Sequence, residues 1–258
     1  MREEIKVIEK IVKEAGKILL NYFYEEKEVR FKSTSNPVTK IDKLSEEKLI
    51  EGLEKYFPGY TILTEESGFI DKGSDYKWII DPLDGTINYI HNFPFFSISI
   101  ALIKKDEIIL GVVYDPLRDE FFSAYRKEGA HLNFEKIYVS SVDKISNALL
   151  AFGLPYHLTL DDENFQPFID FSKRCQSIRR AGSSALELAY IASGRLDGYW
   201  CKELNLWDIA GGIILVEEAG GKVTDYQGKK IIQEKTSIIA TNGLIHEEVR
   251  NIINRVRL

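Results

Sequence analysis

Five short β-type segments between residues 60 and 124 constrain the fold more than any other feature of the 258-residue sequence. Each is rich in β-branched or aromatic residues, as strands are. They span residues 60–64, 77–81, 96–103, 108–114 and 120–124. A charged turn at 104–107 and an Asp-Pro turn at 115–119 separate the last three segments. We therefore expect these three to form an antiparallel meander.

Helical patterns flank this block. Residues 3–24 place apolar side chains on one helical stripe, and residues 41–56 repeat the pattern until Pro58-Gly59 ends it. After residue 145, strands and helices alternate. The strands are expected at 149–152, 198–200 and 237–240, and the helices at 163–173, 183–193, 208–219 and from residue 245. This order predicts an α+β half at residues 1–145 and an α/β half at 146–258, with the seam near 142–147.

Composition and charge favour a protein that binds a small molecule. The net charge is −6, acids and bases are interspersed, and no basic run indicates nucleic-acid or membrane binding. Charged residues interrupt the apolar positions of the first helix, a pattern typical of neither a signal peptide nor a membrane span. Cys175 and Cys201 are too few for a disulfide framework and lack the spacing of a zinc site. We expect a cytoplasmic protein.

The motif Asp81-Pro82-Leu83-Asp84-Gly85-Thr86 directly follows an apolar run and carries two carboxylates without a Lys or Arg between them. Pro82 biases Asp81 toward an extended conformation, so its carboxylate should lie at the end of a strand. Carboxylates this close raise each other's pKa unless a cation lies between them. Oxygen ligands suit Mg²⁺, and the four histidines show no ligand spacing. If a helix begins here, the Gly85 and Thr86 amides favour phosphate.

Each of these acids also has an ordinary structural interpretation. Asp-Pro-Leu-Asp-Gly forms β-turns with solvated acids, and a second copy at residues 115–119, without Gly-Thr, should be such a turn. Either Glu65 or its neighbour Glu66 fits a surface acid. Asp208, which follows Trp207, fits a helix N-cap.

Three further stretches agree with the motif, namely Thr64-Glu65-Glu66-Ser67, Ala181-Gly182-Ser183-Ser184 and Leu206-Trp207-Asp208-Ile209-Ala210. Together with Asp81–Thr86 they resemble, in order and spacing, the inositol monophosphatase family. The resemblance implies a layered αβαβα sandwich, usually a homodimer. It also implies lithium-sensitive hydrolysis of a phosphate monoester with two to three Mg²⁺ ions.

The resemblance assigns roles residue by residue. One ion would be held by Glu65, Asp81 and the Leu83 carbonyl, and a second by Asp81, Asp84 and Asp208. Glu65 would touch a third, weaker ion through water. Glu65, Thr86 and Asp84 would form the catalytic set, with Thr86 positioning the attacking water. Phosphate and substrate would contact Asp84, Gly85, Thr86, Gly182, Ser183, Ser184 and Asp208.

Two upstream elements also match the family, Lys32 and the stretch from Pro37 to Asp42. Thr39 and Asp42 have the spacing of a capping box that opens the second helix, so we expect Asp42 to have a structural role or to support the metal ligands from behind, and we leave it out of the metal ligands. Asn36 stands where many family members carry Asp.

The substrate end departs from the inositol-binding pattern. Cys201 replaces a Glu that accepts hydrogen bonds from inositol hydroxyls, and cysteine is a poor acceptor. Glu203 lies two residues on, with an even chance of facing the same way. Leu154 replaces a polar contact of some members. Arg179-Arg180 fits a second phosphate site, a structural ion pair or a subunit contact.

We therefore rank myo-inositol 1-phosphate first and fructose 1,6-bisphosphate second, with histidinol phosphate and nucleotide 3′-phosphates below them. A mainly regulatory role, bound to RNA polymerase or to maturing ribosomes, is the alternative from another class. A two-metal nuclease is the third, which the lack of a Lys/Arg-rich groove disfavours.

Overall fold

The computed structural model describes residues 2–26, 29–33, 36–154, 165–231 and 233–255, without the side chains of 29–33 and 36–38. The side chains of Lys32 and Asn36, which were compared above with the family pattern, lie outside the described part. The helices are α1 (Glu3–Tyr22), α2 (Lys40–Tyr56), α3 (Thr86–Ile90), α4 (Phe165–Ser172), α5 (Ser184–Ala192), α6 (Leu206–Glu218) and α7 (His246–Arg255). No helix in these residues is long and apolar enough to cross a membrane.

The strands fall into two sheets and one small hairpin. They are β1 (Val29–Ser33), β2 (Asn36–Thr39), β3 (Thr61–Thr64), β4 (Gly68–Ile70), β5 (Tyr76–Asp84), β6 (Ser97–Lys104), β7 (Glu107–Asp115), β8 (Glu120–Tyr125), β9 (Gly129–Leu132), β10 (Glu135–Ile137), β11 (Leu149–Phe152), β12 (Ser177–Arg179), β13 (Gly198–Asn205), β14 (Lys222–Thr224) and β15 (Lys235–Thr241). A short 3₁₀ turn at Ile145–Asn147 lies between β10 and β11. Strands β1 and β2 form the hairpin.

The first sheet has the order β10-β9-β8-β7-β6-β5-β3-β4. Strands β6, β7 and β8 pair antiparallel in sequence order, which confirms the predicted meander. Strand β3 pairs parallel to β5, and this is the one parallel pair among the described strands of this sheet. The carboxyl ends of β3 and β5 therefore meet at the same edge.

The second sheet has the order β12-β11-β13-β15-β14. Strand β11 is parallel to both β12 and β13, whereas β15 is antiparallel to both β13 and β14. Strand β13 continues to Asn205, beyond the predicted end at residue 200, because it resumes pairing with β15 after a bulge between Cys201 and Leu204.

The elements stack in five layers, because the two faces of each sheet bury alternate side chains. Trp78 and Ile80 of β5 pack with α1 and α2, whereas Ile79 faces α5 and α6. The opposite side of α5 and α6 packs on β13 and β15 of the second sheet, whose other face buries Trp200 and Ile239 against α4 and α7. This arrangement is the predicted αβαβα sandwich, which is thereby confirmed.

Candidate active site

The predicted acids of the first half lie at the shared edge of β3 and β5. Thr64 pairs with Ile80, so Glu65 and Asp81 follow at the same level. The Glu65 amide donates to the Ile80 carbonyl over 3.3 Å, which continues the ladder by one residue. Parallel pairing therefore brings together two acids that are 16 positions apart in sequence.

Strand β5 does not end at Asp81 as predicted. After a bulge between Asp81 and Asp84 the strand resumes, and Asp84 pairs with Ser97. The Leu83 amide donates to Asp81 Oδ1 over 3.0 Å and fixes that carboxylate against the bulge. The bulge re-aims the strand so that the Asp84 side chain reaches the second half of the chain.

Gly85 adopts the left-handed conformation, with φ at 97°, and is the N-cap of α3. A Cβ atom there would lie 3.1 Å from the Phe95 carbonyl oxygen and 3.2 Å from that of Gly182. Only glycine meets both requirements without strain. The position thus lets the motif approach the Gly182 loop.

Asp84 Oδ2 accepts a hydrogen bond from the Ser183 hydroxyl at 2.6 Å and one from the Ala185 amide at 2.7 Å. Ser183 is the N-cap of α5, but its own side chain makes no capping hydrogen bond. A carboxylate from the first sheet therefore satisfies the N-terminus of α5. Ser183 is fully buried, and its hydroxyl donates to Asp84 and not to its own helix.

Asp208 is the third residue of α6 and not its N-cap, which is Asn205. The two residues form a capping box, in which the Asn205 amide donates to Asp208 Oδ2 over 2.7 Å. The N-cap interpretation was therefore wrong by three positions. The capping box fixes the carboxylate at the start of the helix, and Asp208 borders the same cavity as Asp84.

The four acids influence one another electrostatically. Burial raises the pKa of Asp81 well above its usual value, and the charges of Glu65, Asp84 and Asp208 raise it further. Burial likewise raises the pKa of Asp208, together with Glu65 and Asp84. Burial raises the pKa of Asp84 to about 6, although hydrogen bonds from Ser183 and Ala185 oppose this. Within the described residues, no Lys or Arg forms an ion pair with Asp81, Asp84 or Asp208.

The acids converge without closing on a single point. Over the described ranges, no three His, Cys, Asp or Glu side chains are grouped as a metal site. Asp81, Asp84 and Asp208 each accept a hydrogen bond from a backbone amide. The Leu83 residue, whose carbonyl the resemblance assigns to the metal, lies in the bulge between Asp81 and Asp84.

Helix α2 forms hydrogen bonds with the Asp81–Thr86 motif. Thr39 and Asp42 form the predicted capping box, with the Thr39 amide 2.8 Å from Asp42 Oδ2. Asp42 Oδ1 lies 3.2 Å from the Thr86 hydroxyl, which is also 3.1 Å from the Leu83 carbonyl. The Ser45 hydroxyl donates to the Pro82 carbonyl over 2.9 Å. The sequence identified the capping box but not these two contacts with the motif.

Asn88 is a further residue that sequence reasoning missed. Its side-chain amide donates to the Phe95 carbonyl and to the Ala181 carbonyl, each at 2.7 Å. Asn88 therefore ties the loop after α3 to the loop before α5. Its place two residues beyond the motif was the only signal available in the sequence.

A cavity of about 350 Å³ opens beside the acids. Of the predicted residues it is lined by Asp84, Gly85, Thr86, Leu154, Arg180, Gly182, Ser184 and Asp208. Glu65, Asp81, Ser183, Arg179 and Cys201 are not part of its lining. Phe152 and Leu204 add apolar surface, so the substrate end combines few polar groups with an apolar wall.

The polar groups at that end come from α5 and β13. The Ser184 and Tyr199 hydroxyls lie 2.9 Å apart. Glu187 is buried, accepts a hydrogen bond from the Ala181 amide at 2.9 Å, and has its pKa raised to about 8 by burial. Cys201 is fully buried, whereas Glu203 forms an exposed ion pair with Lys235 at 2.7 Å. Glu203 therefore does not replace the acceptor that Cys201 lacks.

The second Asp-Pro-Leu copy is a turn between β7 and β8, as predicted, but its first acid is not solvated. Asp115 is fully buried, accepts from the Leu117 amide at 2.9 Å and pairs with Arg118 at 2.7 Å. Arg118 balances the charge of this carboxylate. Among the described residues, Asp81 and Asp84 have no such ion pair. The arginine that replaces the second Asp of the motif is the physical difference between the copies.

Comparison with known proteins agrees with this geometry. The model of the inositol monophosphatase family matches residues 1–257. A Nus factor SuhB of Pasteurella multocida is 38% identical over 98% of this chain and 96% of its own. A fructose-1,6-bisphosphatase/inositol-1-monophosphatase of Thermotoga maritima is also 38% identical, over 96% of this chain and 94% of its own.

Solved structures give the same result. The extragenic suppressor protein suhB of Bartonella henselae superposes with a TM-score of 0.94, at 36% identity over 98% of this chain and 99% of that one. An IMPase/NADP phosphatase complexed with Mg²⁺ and phosphate superposes with a TM-score of 0.82, at 26% identity over 94% and 91%. The chain belongs to the inositol monophosphatase family and is a phosphoric monoester hydrolase.

Proposed function

We propose that the protein hydrolyses myo-inositol 1-phosphate to inositol and phosphate with Mg²⁺, is inhibited by Li⁺, and works as a cytoplasmic homodimer. The observation that carries the proposal is the continuity of the acids with the cavity. Asp84 and Asp208 border a space of about 350 Å³ that is also lined by Ser184 and Tyr199, whose hydroxyls lie 2.9 Å apart. A phosphate at the acids and a polyol at the hydroxyls fit such a site.

The residues fit Mg²⁺ by the chemistry of their donors. Glu65, Asp81, Asp84, Asp208 and the Leu83 carbonyl offer only oxygen, which a hard cation prefers. In the absence of a cation, the charge of Asp208 raises the pKa of Asp81, and the charges of Glu65 and Asp84 raise the pKa of Asp208. The family includes a structure complexed with Mg²⁺ and phosphate, which supports the choice of metal. Bound Mg²⁺ supplies Lewis-acid polarisation of the phosphate and lowers the pKa of a bound water.

The protein's own groups bind and orient the reactants. Gly85 and Thr86 line the cavity beside Asp84, where their amides would bind phosphate oxygens. The Thr86 hydroxyl has one proton, which Asp42 or the Leu83 carbonyl accepts. Its lone pairs then remain available to accept a hydrogen bond from the attacking water. Asp42 thus orients Thr86 in addition to capping α2.

Fructose 1,6-bisphosphate is the second candidate because of Arg180. This exposed arginine lines the cavity, where a guanidinium can hold a second phosphate. Arg179 instead hydrogen-bonds with Ser177 and the Ile178 carbonyl. The Thermotoga relative is named for both activities, and this supports fructose 1,6-bisphosphate as a candidate.

Phosphate release tests both candidates. Purified protein would be assayed with and without Mg²⁺ and Li⁺ on myo-inositol 1-phosphate, fructose 1,6-bisphosphate, histidinol phosphate and adenosine 3′,5′-bisphosphate. We expect Mg²⁺-dependent, Li⁺-inhibited release that is fastest with myo-inositol 1-phosphate. Arg180→Ala, with Arg179→Ala as its control, should lower kcat/KM only for a bisphosphate. Absence of release from all four by folded protein contradicts the proposal, and light scattering checks the homodimer.

A mainly regulatory role is favoured by one observation, the relative named a Nus factor. Binding to RNA polymerase or to maturing ribosomes should survive Asp84→Asn, since that change alters no exposed surface. Turnover should not survive it. Pull-down of both assemblies by wild-type and Asp84→Asn protein, beside the phosphatase assay, separates the two roles.

A further inference from the structure

Glu46 is a buried carboxylate beneath the hairpin that carries Glu65. It lies on α2 with 2% of its surface exposed. Its Oε2 accepts from the Glu66 amide at 2.9 Å and from the Thr64 hydroxyl, and its Oε1 accepts from the Ser67 hydroxyl. Thr64 precedes Glu65, and the other two donors follow it. One carboxylate therefore fixes the chain on both sides of Glu65.

The hairpin itself is short. Thr64 pairs with Gly68 across β3 and β4, which leaves three residues in the loop. Gly68 adopts the left-handed conformation, with φ at 77°, that closes such a loop. One edge is fixed to β5 by the Glu65 amide and Ile80. Strand β4 is the edge strand of the sheet. The hairpin is therefore held from α2, through the hydrogen bonds to Glu46.

Glu46 belongs to a polar face of α2 that supports the site at separate points. Asp42, Ser45 and Glu46 are spaced as neighbours on one helix face. Asp42 contacts Thr86, Ser45 contacts the Pro82 carbonyl, and Glu46 contacts the Glu65 hairpin. Burying a carboxylate is costly unless it is hydrogen-bonded. The hydrogen bonds described for Glu46 all go to this hairpin.

We propose that Glu46 is a positioning residue that holds Glu65 in register with Asp81 for Mg²⁺ binding. The inference rests on the proposed function, since it assigns Glu65 to the metal. Glu46 does not line the cavity, so its effect reaches the reaction through the hairpin and not through the substrate. Without its anchor, Glu65 samples more orientations, and Mg²⁺ binding must restore order at a cost in affinity.

Glu46→Gln tests this with little change of shape. Glutamine has only one acceptor oxygen. Its NH₂ group would therefore face a donor that now donates to the second carboxylate oxygen of Glu46. We expect the Kd for Mg²⁺, measured by calorimetry, to rise about 10-fold or more. The KM for myo-inositol 1-phosphate at saturating Mg²⁺ should stay unchanged. Glu47→Gln, one residue along and exposed, is the matched control and should match wild type in both.

The outcomes are distinguishable. Folded Glu46→Gln with the wild-type Kd for Mg²⁺ overturns the inference while leaving the proposed function intact. If Glu46→Gln does not fold, Ser67→Ala removes one exposed donor and should raise the Kd about 2- to 5-fold; an unchanged Kd overturns the inference. Wild-type protein that does not bind Mg²⁺ overturns the proposed function and this inference with it.

Discussion

Asp84 Oδ2 lies 2.6 Å from the Ser183 hydroxyl, and this contact joins the two halves of the sequence at one carboxylate. Asp84 ends a strand of the first sheet, and Ser183 begins the helix that separates the two sheets. The acid proposed as a metal ligand therefore also fixes the loop that borders the substrate cavity. If Asp84 holds the metal as proposed, metal binding and substrate placement share one anchor.

Asp84→Asn should abolish most turnover while leaving the fold intact. Asparagine keeps an oxygen that accepts from Ser183 and Ala185 but lacks the charge proposed to hold Mg²⁺. We expect a loss of at least about 100-fold in kcat, comparable to removing one preorganised electrostatic group. Circular dichroism and phosphate release check the two parts. The exposed Asp106→Asn is the control, and near-normal turnover in folded Asp84→Asn would refute the assignment.

Mg²⁺ should stabilise the protein more near neutral pH than in mild acid. Burial raises the pKa of Asp84 from 3.8 to about 6 and raises that of Asp81 and Asp208 as well. The folded state thus holds protons that the unfolded state has lost, so metal-free stability from these groups falls as pH rises through about 4 to 6. Mg²⁺ relieves this repulsion only where the acids are ionised.

Thermal unfolding with Mg²⁺ and with EDTA, at about pH 5 and pH 7.5, measures this difference. The Mg²⁺-induced rise in Tm should be larger at the higher pH, and Asp84→Asn should reduce it. An equal rise at both pH values would argue against a metal held by these acids.

The fold was largely predictable because its signals are local and periodic. The stripe on α1, the meander turns and the Pro58-Gly59 stop after α2 each act within a few residues. The boundaries missed at β5 and β13 are bulges, where pairing with a distant strand outweighs local turn signals. The division into halves at residue 145 stays a prediction.

The candidate site was predictable only through motifs. Asp81 and Asp84 stand in a pattern that a sequence displays, but their contacts with α2 and α5 depend on packing. Glu46 and Ser45 received no prediction, since nothing nearby in sequence shows that α2 turns this face inward. Asp115 resembled a solvated acid for the same reason, although it is fully buried and pairs with the exposed Arg118.

Asn88→Ala should weaken substrate binding more than it slows the chemistry. The change removes two hydrogen bonds between the loops that flank the cavity, each worth about 1 kcal/mol. The loop before α5 is then less well held, whereas the acids remain in place. We expect the KM for myo-inositol 1-phosphate to rise about 10-fold with kcat changed less. Steady-state kinetics check the split, with the exposed Asn251→Ala as control. A loss confined to kcat would place Asn88 elsewhere in the reaction.

His246 should make the second sheet sensitive to acid. It is buried between the Thr224 and Thr241 hydroxyls, at 3.0 Å and 3.1 Å, and burial lowers its pKa from 6.5 to about 4. The unfolded chain therefore takes up a proton first on acidification, so stability is present above about pH 6.5 and is lost as pH falls toward 4. The full loss is about 3 kcal/mol. Urea unfolding in EDTA at about pH 7.5 and 4.5 measures the loss of unfolding free energy. This free energy should depend less on pH in His246→Gln than in wild type. The exposed His91→Gln is the control and should show the pH dependence of wild type. Equal pH dependence in wild type and His246→Gln would show that other groups carry the acid sensitivity.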